Sequence, residues 1–313
     1  MDLSNSSEKT APSSNATTSK NRKRKANDLK NVFVPSKRAR FLSTYRRHQE
    51  WSLPESIIHY MAKNPKNAAV YLKLIRSCKY FFVQNPILVV ERLISTWKNV
   101  WLVPINDVEK NIDFRKLSIK IWITESICDL KKTDISSIIP QIHRCDAKEL
   151  YLAVQELSFK DFLSLSSHVE KCVLSHVVVK NEDSSIVPSE KLVEVLDKAK
   201  SIRIFDNPGS SSITCDTVKK LIEIPRFSKL DKFELINIPE SFDIDAIFAF
   251  VKKNKHTKFE LWFCDLSEVY KARVEAIIDE IIEAETHEYK VPYITFNGLH
   301  PEKRNKIIDL LED

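Results

Sequence analysis

Apolar residues recur in this chain at two different periods, and the change from one to the other divides it. Between residues 51 and 100 the steps are three and four residues, the spacing of helices that bury one face. Ser52-Leu53-Pro54-Glu55 has the form of a capping box with proline just inside a helix start. Ile57, Ile58 and Met61 then fall on one face, and Asn64-Pro65 ends the helix. Asn67 is placed to cap a second helix carrying Val70, Tyr71, Leu74, Ile75 and Cys78. Asn85-Pro86 repeats the cap-and-proline signal before Ile87, Leu88, Val90, Leu93 and Ile94, so a third helix is expected there.

From about residue 110 the pattern becomes short alternating runs followed by amphipathic segments. The runs lie at Leu117/Ile119/Ile121, Leu150/Leu152, Leu174 to Val179, Ile202/Ile204, Phe233/Leu235, Phe259/Leu261 and Ile294/Phe296. Between them come Phe159 to Val169, Lys191 to Ala199, Val218 to Ile224, Ile244 to Val251, Val269 to Ile282 and Ile307 to Leu311. One strand and one helix recurring about every thirty residues predicts an α/β body, an irregular leucine-rich-repeat-like βα solenoid with a parallel sheet. An α/β sandwich of ordinary βα units is the alternative. The spelling Ile202-x-Ile204-x-x-Asn207 and Phe259-x-Leu261-x-x-Cys264 matches the core of that repeat, and Leu230-x-x-Phe233-x-Leu235-x-x-Ile238 carries its longer frame. A small buried Asn or Cys is expected beneath the turn from strand to crossover.

If Leu261 faces inward, Glu260 and Trp262 face the other way. The same alternation puts Tyr151, Arg203, Phe205, Glu234 and Ile236 on that second face, which in a solenoid is the open surface that grips a protein target. Coverage of that face by other helices is the competing expectation.

Charge and composition narrow the function. Residues 20–47 hold eleven Lys and Arg against Asp28, a net +10, so residues 48–313 carry −3 of the overall +6. Residues 1–47 have few large apolar groups and are expected to be a disordered basic tail. Within it, Arg22-Lys23-Arg24-Lys25 and Lys37-Arg38-Ala39-Arg40 have the spacing of a bipartite nuclear-import signal, whose partner is an import carrier. Nucleic acid is expected to be touched through this tail only. Two glycines in the whole chain, Gly209 and Gly298, exclude a Rossmann fingerprint, a P-loop and a kinase glycine loop, each of which needs clustered glycines against phosphate. No signal peptide or membrane-spanning run is read from the sequence, and six scattered cysteines suit a reduced nuclear or cytoplasmic setting.

Two groupings could carry chemistry. His168-x3-Cys172-x3-His176 would align three metal ligands on a continuous helix, but it straddles a predicted helix end and strand, so no metal is expected. His143-x-Cys145-Asp146 lacks a third group to orient a nucleophile. Trp97, Trp101 and Trp122 lie in apolar runs and are expected in the core. An enzyme is not expected, and neither is a cofactor.

Leu53-Pro54-Glu55-Ser56-Ile57-Ile58, followed about 25 residues later by Cys78-Lys79-Tyr80-Phe81-Phe82, resembles the F-box, in the divergent form carried by nematode F-box-like proteins. The resemblance covers about 50 residues and is extended by architecture, since leucine-rich repeats often follow this module. It implies a division into tail 1–47, three-helix module 48–105 and target-binding body 106–313. It further implies that Leu53, Pro54, Ile57, Ile58 and Met61, with the second-helix face Val70, Leu74 and Cys78, dock a Skp-type adaptor. A cullin would stand behind that adaptor, making the chain a substrate receptor of an SCF-type ubiquitin ligase. The acidic-leucine pair that opens the family's second helix is replaced by Asn67-Ala68-Ala69, and Tyr80-Phe81 stand where tryptophan is usual. A plain helical cap over the solenoid's open end is the alternative for the module, and a nuclear nucleic-acid-associated scaffold is the alternative for the whole chain.

Overall fold

The computed structural model describes residues 37–43, 50–96, 100–105, 108–129 and 134–312. The chain divides into two units, Met1–His48 and Gln49–Asp313. In the first, α1 (Lys37–Ser43) is a short helix. It carries Lys37, Arg38 and Arg40 of the second basic cluster.

The second unit opens with α2 (Glu55–Lys63), α3 (Ala68–Ser77) and α4 (Lys79–Gln84). Pro54 sits at the N-cap of α2 without a side-chain cap, so the capping box is not formed. Asn67 does cap α3, accepting from the Val70 N–H at 2.9 Å. The third expected helix is a strand, β1 (Ile87–Ser95). Its aliphatic run Ile87-Leu88-Val89-Val90, β-branched at all but Leu88, pairs in parallel with β4 (Lys120–Asp129), and Pro86, which has no N–H to give, offers its carbonyl to the Lys120 N–H at 3.3 Å. The helices thus end at Gln84 and the sheet begins at Ile87. The hairpin strands β2 (Trp101–Ile105) and β3 (Val108–Ile112) add to β1 antiparallel.

The chain then continues through β5 (Ile142–Cys145), β6 (Glu149–Ala153), β7 (Glu156–Ser158), α5 (Phe159–Ser166), β8 (Lys171–Ser175) and β9 (Val178–Lys180). It proceeds through α6 (Ser189–Val195), β10 (Ser201–Phe205), α7 (Thr217–Glu223), β11 (Lys232–Ile238), α8 (Ile244–Lys253) and β12 (Lys258–Phe263). Last come α9 (Glu268–Glu283), β13 (Tyr293–Phe296) and α10 (Pro301–Glu312). Among the described residues, eleven strands form one mostly parallel sheet in the order β13-β12-β11-β10-β8-β6-β4-β1-β2-β3, with β5 also on β4. From β6 to β13 each new strand of this sheet joins the edge left by the one before. No strand order reverses along that stretch, so it lacks the switch-point crevice where open parallel sheets usually hold small ligands.

One sheet face is sealed by helices. Leu150, Leu152, Cys172, Leu174, Ile202, Ile204, Phe233, Leu235, Phe259, Leu261, Ile294 and Phe296 all point to it. Each is exposed by 5% or less, packed in one core with Leu192 and Val193 of α6, Ile247 and Val251 of α8, and Val274 and Ile278 of α9. At roughly 1.5–3 kcal/mol for each large side chain withdrawn from water, this face dominates the stability. A short 3₁₀ turn, Phe227–Lys229, delivers Phe227 against Phe233, Phe250 and Phe259 at 4.9, 5.5 and 5.9 Å between rings. Trp101 and Trp122 are fully buried as expected; Trp97 lies outside the described residues.

The buried polar residue expected beneath the strand-to-crossover turn is displaced by one. Asn207 is only half-buried, whereas Asp206 is buried and accepts from both the N–H and the hydroxyl of Ser212 at 2.9 Å. A carboxylate can take several donors at once, which an asparagine oxygen does less strongly.

Candidate docking surfaces

The helical module has an inside and an outside that alternate along α2. Ile58 and Ala62 are buried, while Leu53, Ile57, Tyr60 and Met61 are exposed, Leu53 and Ile57 by 45% each. Ile57, Tyr60 and Met61, three and four residues apart, align as a ridge on one side of α2, and Leu53 stands in the bend just before the helix. Val70 on α3 is also exposed, Pro54 lies at the surface, and Leu74 and Cys78 are half-buried. Ile58 is therefore a packing residue of the module rather than a docking residue, because its side chain is already spent on the interior. Tyr60 was missed by sequence reasoning, although its position three after Ile57 places it on the same ridge. On the inner side Trp51 meets Tyr80 and Phe81 at 5.5 and 5.7 Å, so the Tyr80-Phe81 pair packs the module internally.

The module does not close the sheet's end. It lies over β1 and β4 on the face opposite the main core. Tyr71, fully buried, packs there with Ile87 and Trp122. The Tyr71 hydroxyl accepts from the Ile87 N–H at 3.0 Å and donates to the Asn85 carbonyl at 2.7 Å. A polar joint continues the contact. Asp146 accepts from Trp122 Nε1 and from Arg144 Nε, both at 2.8 Å; the Arg144 guanidinium lies 5.0 Å from the Trp122 ring and reaches the Lys66 carbonyl at 3.3 Å.

Beyond the module the same sheet face is uncovered. Parallel register aligns its residues into rows across the strands. Lys171, Ser201, Lys232 and Lys258 form the first; Tyr151, Val173, Arg203, Glu234, Glu260 and Tyr293 the second; Ala153, Ser175, Phe205, Ile236, Trp262 and Thr295 the third. Tyr151, Arg203, Phe205, Ile236 and Glu260 are half-buried and Trp262 is 42% exposed, the profile of a sheet surface with neighbours but no lid. Trp262 packs beside Tyr293 at 5.3 Å, and His176 stacks on Phe205 at 6.4 Å.

Glu234 departs from expectation, since it is 3% exposed and sits inside an ionic cluster. Arg203 donates to it, and Lys232 binds both it, at 3.0 Å, and Glu260, at 2.8 Å. Burial pushes the Glu234 carboxyl up, but the bonds from Arg203 and Lys232 outweigh this and hold it below the ordinary glutamate value. The sequence reading missed Lys171 and Lys232 because it started the strands of their repeats one or more residues late.

Comparison with protein-family models, with curated proteins and with solved structures gives no significant match.

The two chemical groupings stay apart in space or in reactivity. His168 follows α5, Cys172 points into the core from β8, and His176 stands just past that strand with a positive φ of 54°. Burial drives the Cys172 thiol up to about 12 and the Cys145 thiol up to about 11, so neither supplies a thiolate near neutral pH. No group of three or more His, Cys, Asp or Glu placed to hold a metal occurs among the described residues. No helix among them is long and apolar enough to cross a membrane. Of the import-signal residues, Arg22, Lys23, Arg24 and Lys25 lie outside the described residues.

Proposed function

We propose that the chain is a non-enzymatic adaptor, the substrate receptor of an SCF-type ubiquitin ligase. The helical module holds a Skp-type adaptor, a cullin stands behind it, and the uncovered sheet face holds a protein target. The body is read as an irregular leucine-rich-repeat-like solenoid, supported by the in-order parallel strands with helices sealing one face only. The basic clusters before residue 48 are read as an address for an import carrier, giving a nuclear and cytoplasmic distribution.

The observation that carries this reading is the segregation within α2. Its inward residues are buried, yet Ile57, Tyr60 and Met61 remain in water, with Leu53 just before the helix and Val70 on the next one. A module that served only as a cap would gain nothing from leaving that ridge wet. Each large aliphatic covered by a partner adds roughly 1.5–3 kcal/mol, so four or five suffice for a micromolar complex after association costs. No residue need be catalytic, because holding a target beside the transfer machinery raises its effective concentration.

The test is affinity purification of the full chain from extract, with the adaptor and cullin identified by mass spectrometry. Both should be recovered with the wild type and lost with the Leu53→Ala/Ile57→Ala double variant. Equal recovery with both would refute the docking site, and absence of the adaptor from the wild-type sample would refute the function.

A further inference from the structure

The uncovered sheet face differs in sign from the rest of the folded chain. Residues 48–313 carry a net −3. On the face, Lys171, Arg203, Lys232 and Lys258 stand against Glu149, Glu234 and Glu260, a net +1. Arg203, Lys232 and Lys258 converge on only two carboxylates, with Lys258 at 3.9 Å from Glu260. Lys171 is exposed and makes no ion pair within 4.0 Å among the described residues. Although Glu149 lies opposite it in register, its ammonium turns instead over the Tyr151 ring, 5.4 Å from the centroid.

Four residues further along each strand than the lysine row runs the row of Phe205, Ile236 and Trp262, with Arg203, Glu234 and Glu260 between the two. A step of four residues along a strand spans roughly 13 Å, which is also the distance between side chains four positions apart on one side of an extended peptide. A peptide laid along the strands would place one side chain over the lysine row and the one four positions on over the apolar row. We propose that this face, on the reading of it as the target-docking surface, takes an extended acidic segment of a partner protein in which an Asp or Glu stands four positions from a bulky apolar residue. A phosphate backbone fits less well, because its charge repeats at every unit and would run over Glu234 and Glu260 in the middle row, where a peptide can place an uncharged residue.

The experiment selects from a displayed library of random 12-residue peptides against the full chain, then measures the enriched peptide, fluorescein-labelled, by anisotropy. Enrichment of an acidic residue four positions from Trp, Phe, Leu or Ile is expected. Affinity should fall about tenfold or more in Lys171→Glu and in Trp262→Ala, both at exposed positions, and should weaken from 50 to 500 mM salt. It should be unchanged in Leu53→Ala/Ile57→Ala, and thermal unfolding should verify that both face variants remain folded. Enriched peptides of basic or uncharged composition that still lose binding in Trp262→Ala would overturn the acidic chemistry while leaving the docking face in place. Binding indifferent to both face variants, or no enrichment at all, would remove the face itself; neither result touches adaptor recovery.

Discussion

Replacing Tyr71 by Phe tests whether the helical module is rigidly seated on the sheet. The ring is fully buried against Ile87 and Trp122, so the packing survives and only the hydroxyl is lost. That hydroxyl accepts from the Ile87 N–H and donates to the Asn85 carbonyl. Both backbone groups lie where α4 hands over to β1, and neither gains a replacement partner in the variant. Leaving a buried donor unpaired costs about 1–3 kcal/mol. For a folded part of this size, each kcal/mol lowers the melting temperature by roughly 2–4 °C. The urea midpoint should drop with an unchanged slope, and amide exchange should quicken selectively along Ile87–Leu93. An unchanged midpoint with unchanged exchange would mean that water already serves those groups, and the module would then be loosely tethered instead of fixed above β1 and β4.

Other outcomes follow from the same geometry. Ile58→Ala should cost about 2–5 kcal/mol as a core truncation, whereas Leu53→Ala should change the unfolding midpoint by less than about 1 kcal/mol and act on binding alone; similar losses in both would contradict the inside-outside split of α2. Glu234 has a depressed folded pKa, so its contribution is present above the ordinary glutamate value of about 4.3 and is lost as pH falls through the lower folded value. The stability gap between wild type and Glu234→Gln should accordingly shrink in urea titrations below about pH 4, and a constant gap would refute the ionic assignment. Cys215 is exposed and should react with a maleimide in the native protein, while buried Cys145 and Cys172 should label only after unfolding; fast native labelling of either would show that the core opens.

The alternation of strand and helix was clear in the sequence. Alternating pairs such as Ile202/Ile204 and Phe259/Leu261 fall in strands and point into the core, because a buried face leaves no freedom in register. Helices α5 to α10 each form over the amphipathic segment that announced them. The misreadings are equally physical. Asn85-Pro86 before Ile87 reads as a helix start, yet the same residues close α4 and open a strand; a short apolar run fits either period, and only the β4 partner decides. Glu234 reads as an open-face residue by alternation and does lie on that face, but Arg203 on the neighbouring strand and Lys232 on its own strand cover it.

What the chain alone determined is local: which residues alternate, where helices are amphipathic, and which reaction classes two glycines exclude. Tertiary structure decided what local order cannot encode, namely which of two equivalent-looking faces receives a covering layer. The module's seat on β1 and β4 depends on Tyr71 meeting Trp122, fifty-one positions away, and the cationic surplus of the uncovered face depends on lysines brought into one row by three separate strand pairings. Such contacts come from long-range register, which the spacing of residues along a single segment does not specify.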